Sequence, residues 1–287
     1  MLRQLILATT IALVSSTTQA ADPLQVKVYN ADSNSFNVTS VLVTGETEAL
    51  VIDSGFTRAD AYRIAANVLD SGKTLKTILI SNADPDFYFG AETLKTIFPD
   101  AQVVAAPSVN EHIKAKLAAK VAFWGPKMGI NAPKNPIVPA DLKQLTLKVD
   151  GQDIEVRGTT GTIAHRPYVW IPSISTVAGA LNVYGNIHLW MADAKTAPER
   201  QAWQEQLTEI AALKPKVVIP AHMTANTPLD LSTVEYSSEY LKRFEEEAAK
   251  APDSAALIAA MSKAYPDKGE VGSLELGAKV VKGEMEW

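Results

Sequence analysis

The stretch Thr77–Gly90, TILISNADPDFYFG, decides how this chain is read. Its first half completes a buried strand, Leu75–Ile80, apolar and β-branched. The chain then enters a polar loop carrying Asp84 and Asp86, followed by Phe87, Tyr88, Phe89 and Gly90. Carboxylates in a loop at the carboxyl end of a buried strand rest on a rigid support, the usual setting for a binding or catalytic site. An Asp-Pro-Asp turn without function is the competing reading.

Working outward, strands and helices alternate upstream. Gln25–Tyr29, Ser40–Thr44 and Ala49–Ile52 are short, β-branched and bounded by turn formers. Thr57–Leu69 places Ala61, Ile64, Ala65, Val68 and Leu69 on one helical face. After the central stretch come a helix over Ala91–Ile97, a strand over Gln102–Ala106 and a helix over Ser108–Ala122. Trp124–Pro139, with four prolines and two glycines, reads as a long loop. Four strands are expected next, over Leu142–Val149, Ile154–Gly158, Tyr168–Ile171 and Thr176–Ala180. A helix over Pro198–Leu213, a strand over Lys216–Ile219 and a long helix over Leu231–Lys250 follow. Helical segments near Ser254–Ala264 and Gly272–Val281 complete the chain. Runs of strands followed by helices, twice over, argue against a doubly wound sheet and for an α+β sandwich.

The central stretch resembles the metallo-β-lactamase superfamily signature, strand-(S/T)-H-x-H-x-D-H-x-x-G. Ala49–Gly55 (ALVIDSG) is similar to the family's preceding strand with its structural aspartate, here Asp53. Tyr168–Ala180 resembles its "LYLP…GD" hairpin, and Val217–His222 (VVIPAH) its terminal "V-x-P-G-H". Phe123–Pro126, Val169–Pro172 and Asn186–Asp193 extend the likeness to an exported subgroup. The resemblance implies an αββα fold, two mixed sheets flanked by helices, over residues 21–230, with residues 231–287 as a helical extension.

The family's metal ligands transfer only in part. Asn82 and Asp84 stand where the first two histidines belong, Asp86 keeps the aspartate, and Phe87 replaces the last histidine. The next histidine falls near Thr160–Thr162, and His165 is displaced from that place. Ala180 replaces the bridging aspartate, and His222 is retained. Phe87 has no lone pair and Ala180 cannot bridge. The remaining set, Asp84, Asp86, His222 and weakly Asn82, is oxygen-rich. It is expected to hold at most one divalent ion (zinc, manganese or iron), not a dinuclear zinc centre. His188 is expected at the cleft as a catalytic residue beside Asp84 and Asp86. Phe87, Tyr88, Trp124 and Trp190 are expected to line the pocket, with Trp170 shared between pocket and core. His112 and His165 read as solvated or loop residues.

Composition bounds the rest. An apolar fraction of 47% and a charged fraction of 21% are those of a globular domain. A formal charge of −5 with no basic cluster excludes nucleic acid as a partner. The absence of cysteine excludes disulfides, thiolate ligands and a cysteine nucleophile. No G-x-S-x-G elbow is present. Met1–Ala20 combines Arg3, the apolar run Leu5–Val14 and small residues at Thr18 and Ala20, the pattern of a cleaved export signal. A periplasmic or secreted protein without a membrane span is expected.

Two functions stand open at this point. One is hydrolysis of an ester, lactone or amide. The other is binding of a small ligand without turnover. A third, weaker reading makes the C-terminal helices a homodimer interface through Leu257, Ile258 and Met261.

Overall fold

The computed structural model describes residues 22–287, so the expected export signal lies outside the described residues. Two mixed sheets face each other. The first contains β1 (Gln25–Asn30), β2 (Thr39–Thr44), β3 (Glu48–Ile52), β4 (Thr74–Ile80), β5 (Gln102–Ala105) and β6 (Ala140–Asp141), in that spatial order. The second contains β7 (Thr146–Val149), β8 (Gln152–Arg157), β9 (Tyr168–Ile171), β10 (Thr176–Gly185) and β11 (Val217–Met223), with β11 at the edge beyond β10. Pairing is antiparallel through β1–β3 and parallel from β3 to β6.

Burial follows from this order. The parallel strands run under helices, so Leu50–Ile52 and Ile78–Ile80 are apolar on both faces. All ten residues of β10 are buried, because it lies between two strands, below helices and against β2. Helices α1 (Arg58–Ser71), α3 (Ala91–Ile97) and α4 (Pro107–Met128) contact the first sheet, and α5 (Ala197–Ala212) and α6 (Ser232–Lys250) the second. This is the αββα sandwich expected from the sequence.

Three local expectations are corrected. Helix α4 continues through Trp124 to Met128, with Pro126 inside its last turn, so the loop begins only at Gly129. Pro126 removes the amide that would donate to the Ala122 carbonyl, a loss confined to the last turn, and the helix ends two residues later. The Asp84–Phe89 loop contains a single helical turn, α2 (Pro85–Tyr88), with Pro85 at its first position. Of the strand expected over Leu142–Val149 only Thr146–Val149 forms, as β7, while β6 precedes it at Ala140–Asp141 in the other sheet. Helices α7 (Ser254–Ala264) and α8 (Val271–Val281) pack together beside α6. Leu257 and Met261 are fully buried within the chain, so neither presents a dimer interface. Among the described residues no helix is long and apolar enough to cross a membrane.

Candidate functional site

Four segments converge where the carboxyl ends of the strands meet. Residue Asp53, in left-handed backbone at φ 63°, closes β3. Its carboxylate accepts hydrogen bonds from the Ser81 amide and the Ser81 hydroxyl, both at 2.7 Å. The end of β3 is thereby clamped to the end of β4. Burial pushes the Asp53 carboxyl up to about 7, with both Ser81 donors acting in the opposite direction. The backbone of the next turn is held as closely: the Ser54 amide and hydroxyl both donate to the Phe87 carbonyl, and the Gly90 amide donates to Gly55. A β-carbon on Gly90 would fall 1.9 Å from the Ser54 carbonyl oxygen, so only glycine fits there.

On this support α2 presents Asp86 to His222, which projects from β11. Asp86 Oδ2 and His222 Nε2 are 3.3 Å apart, and both side chains are nearly buried. His222 Nδ1 lies 2.8 Å from the Phe36 carbonyl, a partner that can only accept, so Nδ1 carries the proton and Nε2 keeps its lone pair. Burial lowers the imidazole to about 4, leaving it neutral at pH 7. Burial, and then the neighbouring Asp84, hold Asp86 well above the usual carboxylate range. With the carboxyl raised and the imidazole lowered, the pair favours its uncharged form, in which the Asp86 carboxyl faces the His222 lone pair. The imidazole is sandwiched, with Tyr184 stacked on it at 5.6 Å and Phe87 edge-on at 5.5 Å.

Asp84 lies 3.5 Å from Lys120 Nζ. Burial and Asp193 raise its carboxyl, while Lys120 pulls it back. Asp84, Asp86, His188 and His222 all line one cavity of about 310 Å³. Phe36, Phe56, Trp124, Trp190 and Trp287 are among the aromatic residues of its wall. His188 is buried, with Nδ1 2.8 Å from the Tyr240 hydroxyl.

Not every expected site residue reaches the cavity. Asn82 is buried, its side-chain oxygen accepting from the Asp84 amide, so it shapes the turn and is absent from the cavity lining. Phe87 and Tyr88 are fully buried core residues, not pocket residues, because α2 turns them beneath the loop. The Tyr88 hydroxyl has no partner among the described residues. Trp170 is likewise core. His165 and His112 stack on each other at 4.3 Å, away from the cavity.

The sequence reading missed Lys120, Phe36, Phe56, Tyr184, Glu270 and Trp287 as cavity residues. One signal was available for Lys120. Lys116, Lys120, Phe123 and Trp124 share a helical face, visible only once α4 is carried past Ala122.

Whether these residues fit a metal centre is answered by the donors present. Among the described residues no three or more His, Cys, Asp or Glu side chains are placed to hold one ion. Phe87 and Ala180, where the resemblance would put ligands, are fully buried apolar groups. The donor set does not fit the two-metal site of the superfamily.

The sandwich, the clamped Asp53 turn and the strand-end His222 define the class as the metallo-β-lactamase fold. The metallo-β-lactamase superfamily model matches residues 34–174. Fold and family match together place this chain in the metallo-β-lactamase superfamily. Among solved structures it is similar to a metallo-β-lactamase from Pontibacter korlensis, with 18% identity, 78% of this chain and 97% of that chain covered, and a TM-score of 0.54. A metallo-β-lactamase family protein from Thermus thermophilus shares 16% identity over 91% of this chain and 93% of its own, at TM-score 0.60. A variant of the sec-alkyl sulfatase PisA1 shares 15% identity over 86% of this chain and 47% of its own, at TM-score 0.59. Comparison with curated proteins finds no match.

Proposed function

We propose that this chain is an exported hydrolase-like protein that cleaves an ester, lactone or amide by carboxylate acid–base chemistry. The observation that carries the proposal is the unequal setting of two cavity carboxyls. Burial and Asp84 hold Asp86 well above the usual carboxylate range, beside the neutral imidazole of His222. Burial and Asp193 raise Asp84 as well, but the Lys120 ammonium at 3.5 Å draws it back toward its ionised form. Carboxyls set unequally in this way can take opposite roles. Asp84 accepts a proton from water as the water oxygen bonds to the substrate carbonyl carbon. Asp86 then gives its proton to the leaving oxygen or nitrogen as the carbonyl–heteroatom bond breaks. His222, fixed by the Phe36 carbonyl, orients the Asp86 proton.

A second reading, ligand binding without turnover, is favoured by the absence of a three-donor metal group among the described residues. A panel of aryl esters, lactones and anilides, assayed with and without chelator, separates the two. Turnover is expected to survive chelator and to fall about 100-fold or more in Asp86→Asn, the scale of one general acid. Activity that disappears with chelator and returns with zinc contradicts acid–base chemistry by the carboxyls alone. Binding without hydrolysis of any member supports the second reading.

A further inference from the structure

We infer that the cavity selects an uncharged, ring-bearing ligand whose carbonyl oxygen is read by His188, and that it discriminates against carboxylate and ammonium forms of the same body. This rests on the cavity being the functional site, but not on turnover. The wall sets the body of the ligand. Phe36, Phe56 and Trp124 contact one another edge-on or tilted, at centroid separations of 5.3–5.5 Å. Trp190 and Trp287 form a second edge-on pair at 5.2 Å. Aromatic surface of this kind takes up flat rings by stacking and edge contacts.

The carboxyl groups at the cavity already have partners. Asp84 pairs with Lys120, and Asp86 faces His222. Asp193 accepts from Trp190 Nε1 at 2.6 Å and lies 3.8 Å from Lys116, and Glu270 accepts from the Asn37 amide at 2.7 Å. An incoming carboxylate would meet four carboxyl groups and a single lining lysine, itself already paired. An incoming ammonium would lose its water and meet carboxyl groups whose hydrogen-bonding positions are already taken by Lys120, His222, Trp190 and Asn37.

The polar handle held in place by a buried neighbour is His188. The buried Tyr240 hydroxyl has no acceptor other than His188 Nδ1 among the described residues, so it donates its proton there, across 2.8 Å. Neutral His188 then carries its own proton on Nε2, a fixed donor on a cavity-lining residue. A ketone, ester or lactone oxygen accepts from such a donor.

The test is calorimetric titration of the full chain with three matched probes that cannot be hydrolysed: 2-acetonaphthone, 2-naphthoate and (2-naphthylmethyl)trimethylammonium. The ketone is expected to bind at least about tenfold more tightly than either ion, and Tyr240→Phe to weaken it about fivefold, the scale of one hydrogen bond. 2-Methylnaphthalene, which has no acceptor, should bind wild type and Tyr240→Phe alike. Equal or tighter binding of either ion, or no binding of the ketone, overturns the inference. An unchanged ketone affinity in Tyr240→Phe overturns the role of His188. Because no probe turns over, failure of the hydrolytic reading leaves these outcomes unaffected.

Discussion

At the scale of the residue, two buried groups pull stability in opposite directions with pH. Asp53 is raised from 3.8 to about 7 on folding, so its contribution is complete below the unfolded value and is lost as pH rises through about 7. His222 is lowered from 6.5 to about 4, so its contribution is present above the unfolded value and is lost as pH falls from 6.5 through 4. Between pH 4 and 6.5 the two slopes oppose each other and nearly cancel, so thermal melts should stay almost level there and dip only slightly towards pH 7. Asp53→Asn, which mimics the protonated carboxyl, removes one side of this balance and should leave melts that climb from pH 4 to 6.5. Melts that stay level in this variant would remove Asp53 as a source of the balance. The same scale shows what the sequence could disclose. Asp86 and His222 were legible because the motif keeps both at recognisable places, and they meet as expected. The burial of Phe87 and Tyr88 was not legible, because an aromatic after a site loop reads equally well as wall or core until the turn of α2 is known.

At the scale of the element, the loop before β2 connects stability to the site. Asp60 in α1 accepts from Tyr29, Ser35 and both the amide and hydroxyl of Thr57. This ties the Ser33–Ser35 turn to the capping box of α1, and the following residue, Phe36, supplies the carbonyl that fixes His222. Asp60→Ala leaves several buried donors unpaired and should cost about 2–4 kcal/mol in denaturant unfolding. It should also weaken cleft binding, whereas Thr57→Ala, which removes mainly the cap, should cost about 1 kcal/mol. Equal losses in the two would deny Asp60 its wider role. Gly90→Ala tests the opposite side of the cleft: a β-carbon 1.9 Å from the Ser54 carbonyl forces the backbone apart, for about 2–3 kcal/mol. Helices α1, α3 and α7 were readable from apolar spacing and turn residues almost to the residue. The end of α4 was not, since Gly125 and Pro126 signal a break that a final helical turn tolerates. The helical face that Lys120 shares with Trp124 was obscured for that reason, although Trp124 itself was expected at the pocket.

At the scale of the whole molecule, order and spacing of four motifs were enough to specify the sandwich. Contacts distant in sequence were not: Trp287 reaches the cavity beside Trp190, and Glu270 pairs with Asn37. Intact mass of exported protein should show a chain beginning at Ala21, and a retained Met1–Ala20 would contradict export by cleavage. Installing ligands where the resemblance implies them, by Phe87→His with Ala180→Asp, should raise zinc affinity while lowering stability by several kcal/mol, as both sites are packed and dry. No gain in zinc affinity would show that the site has drifted beyond repair by two residues. The central claim is that this cleft has left the superfamily's two-metal chemistry for a raised Asp86 carboxyl facing a neutral His222. Elemental analysis of unmodified protein, expressed with zinc and purified without chelator, tests it most directly. Substoichiometric metal is expected, with no change in melting temperature on adding chelator. Two tightly held zinc ions per chain would contradict the claim.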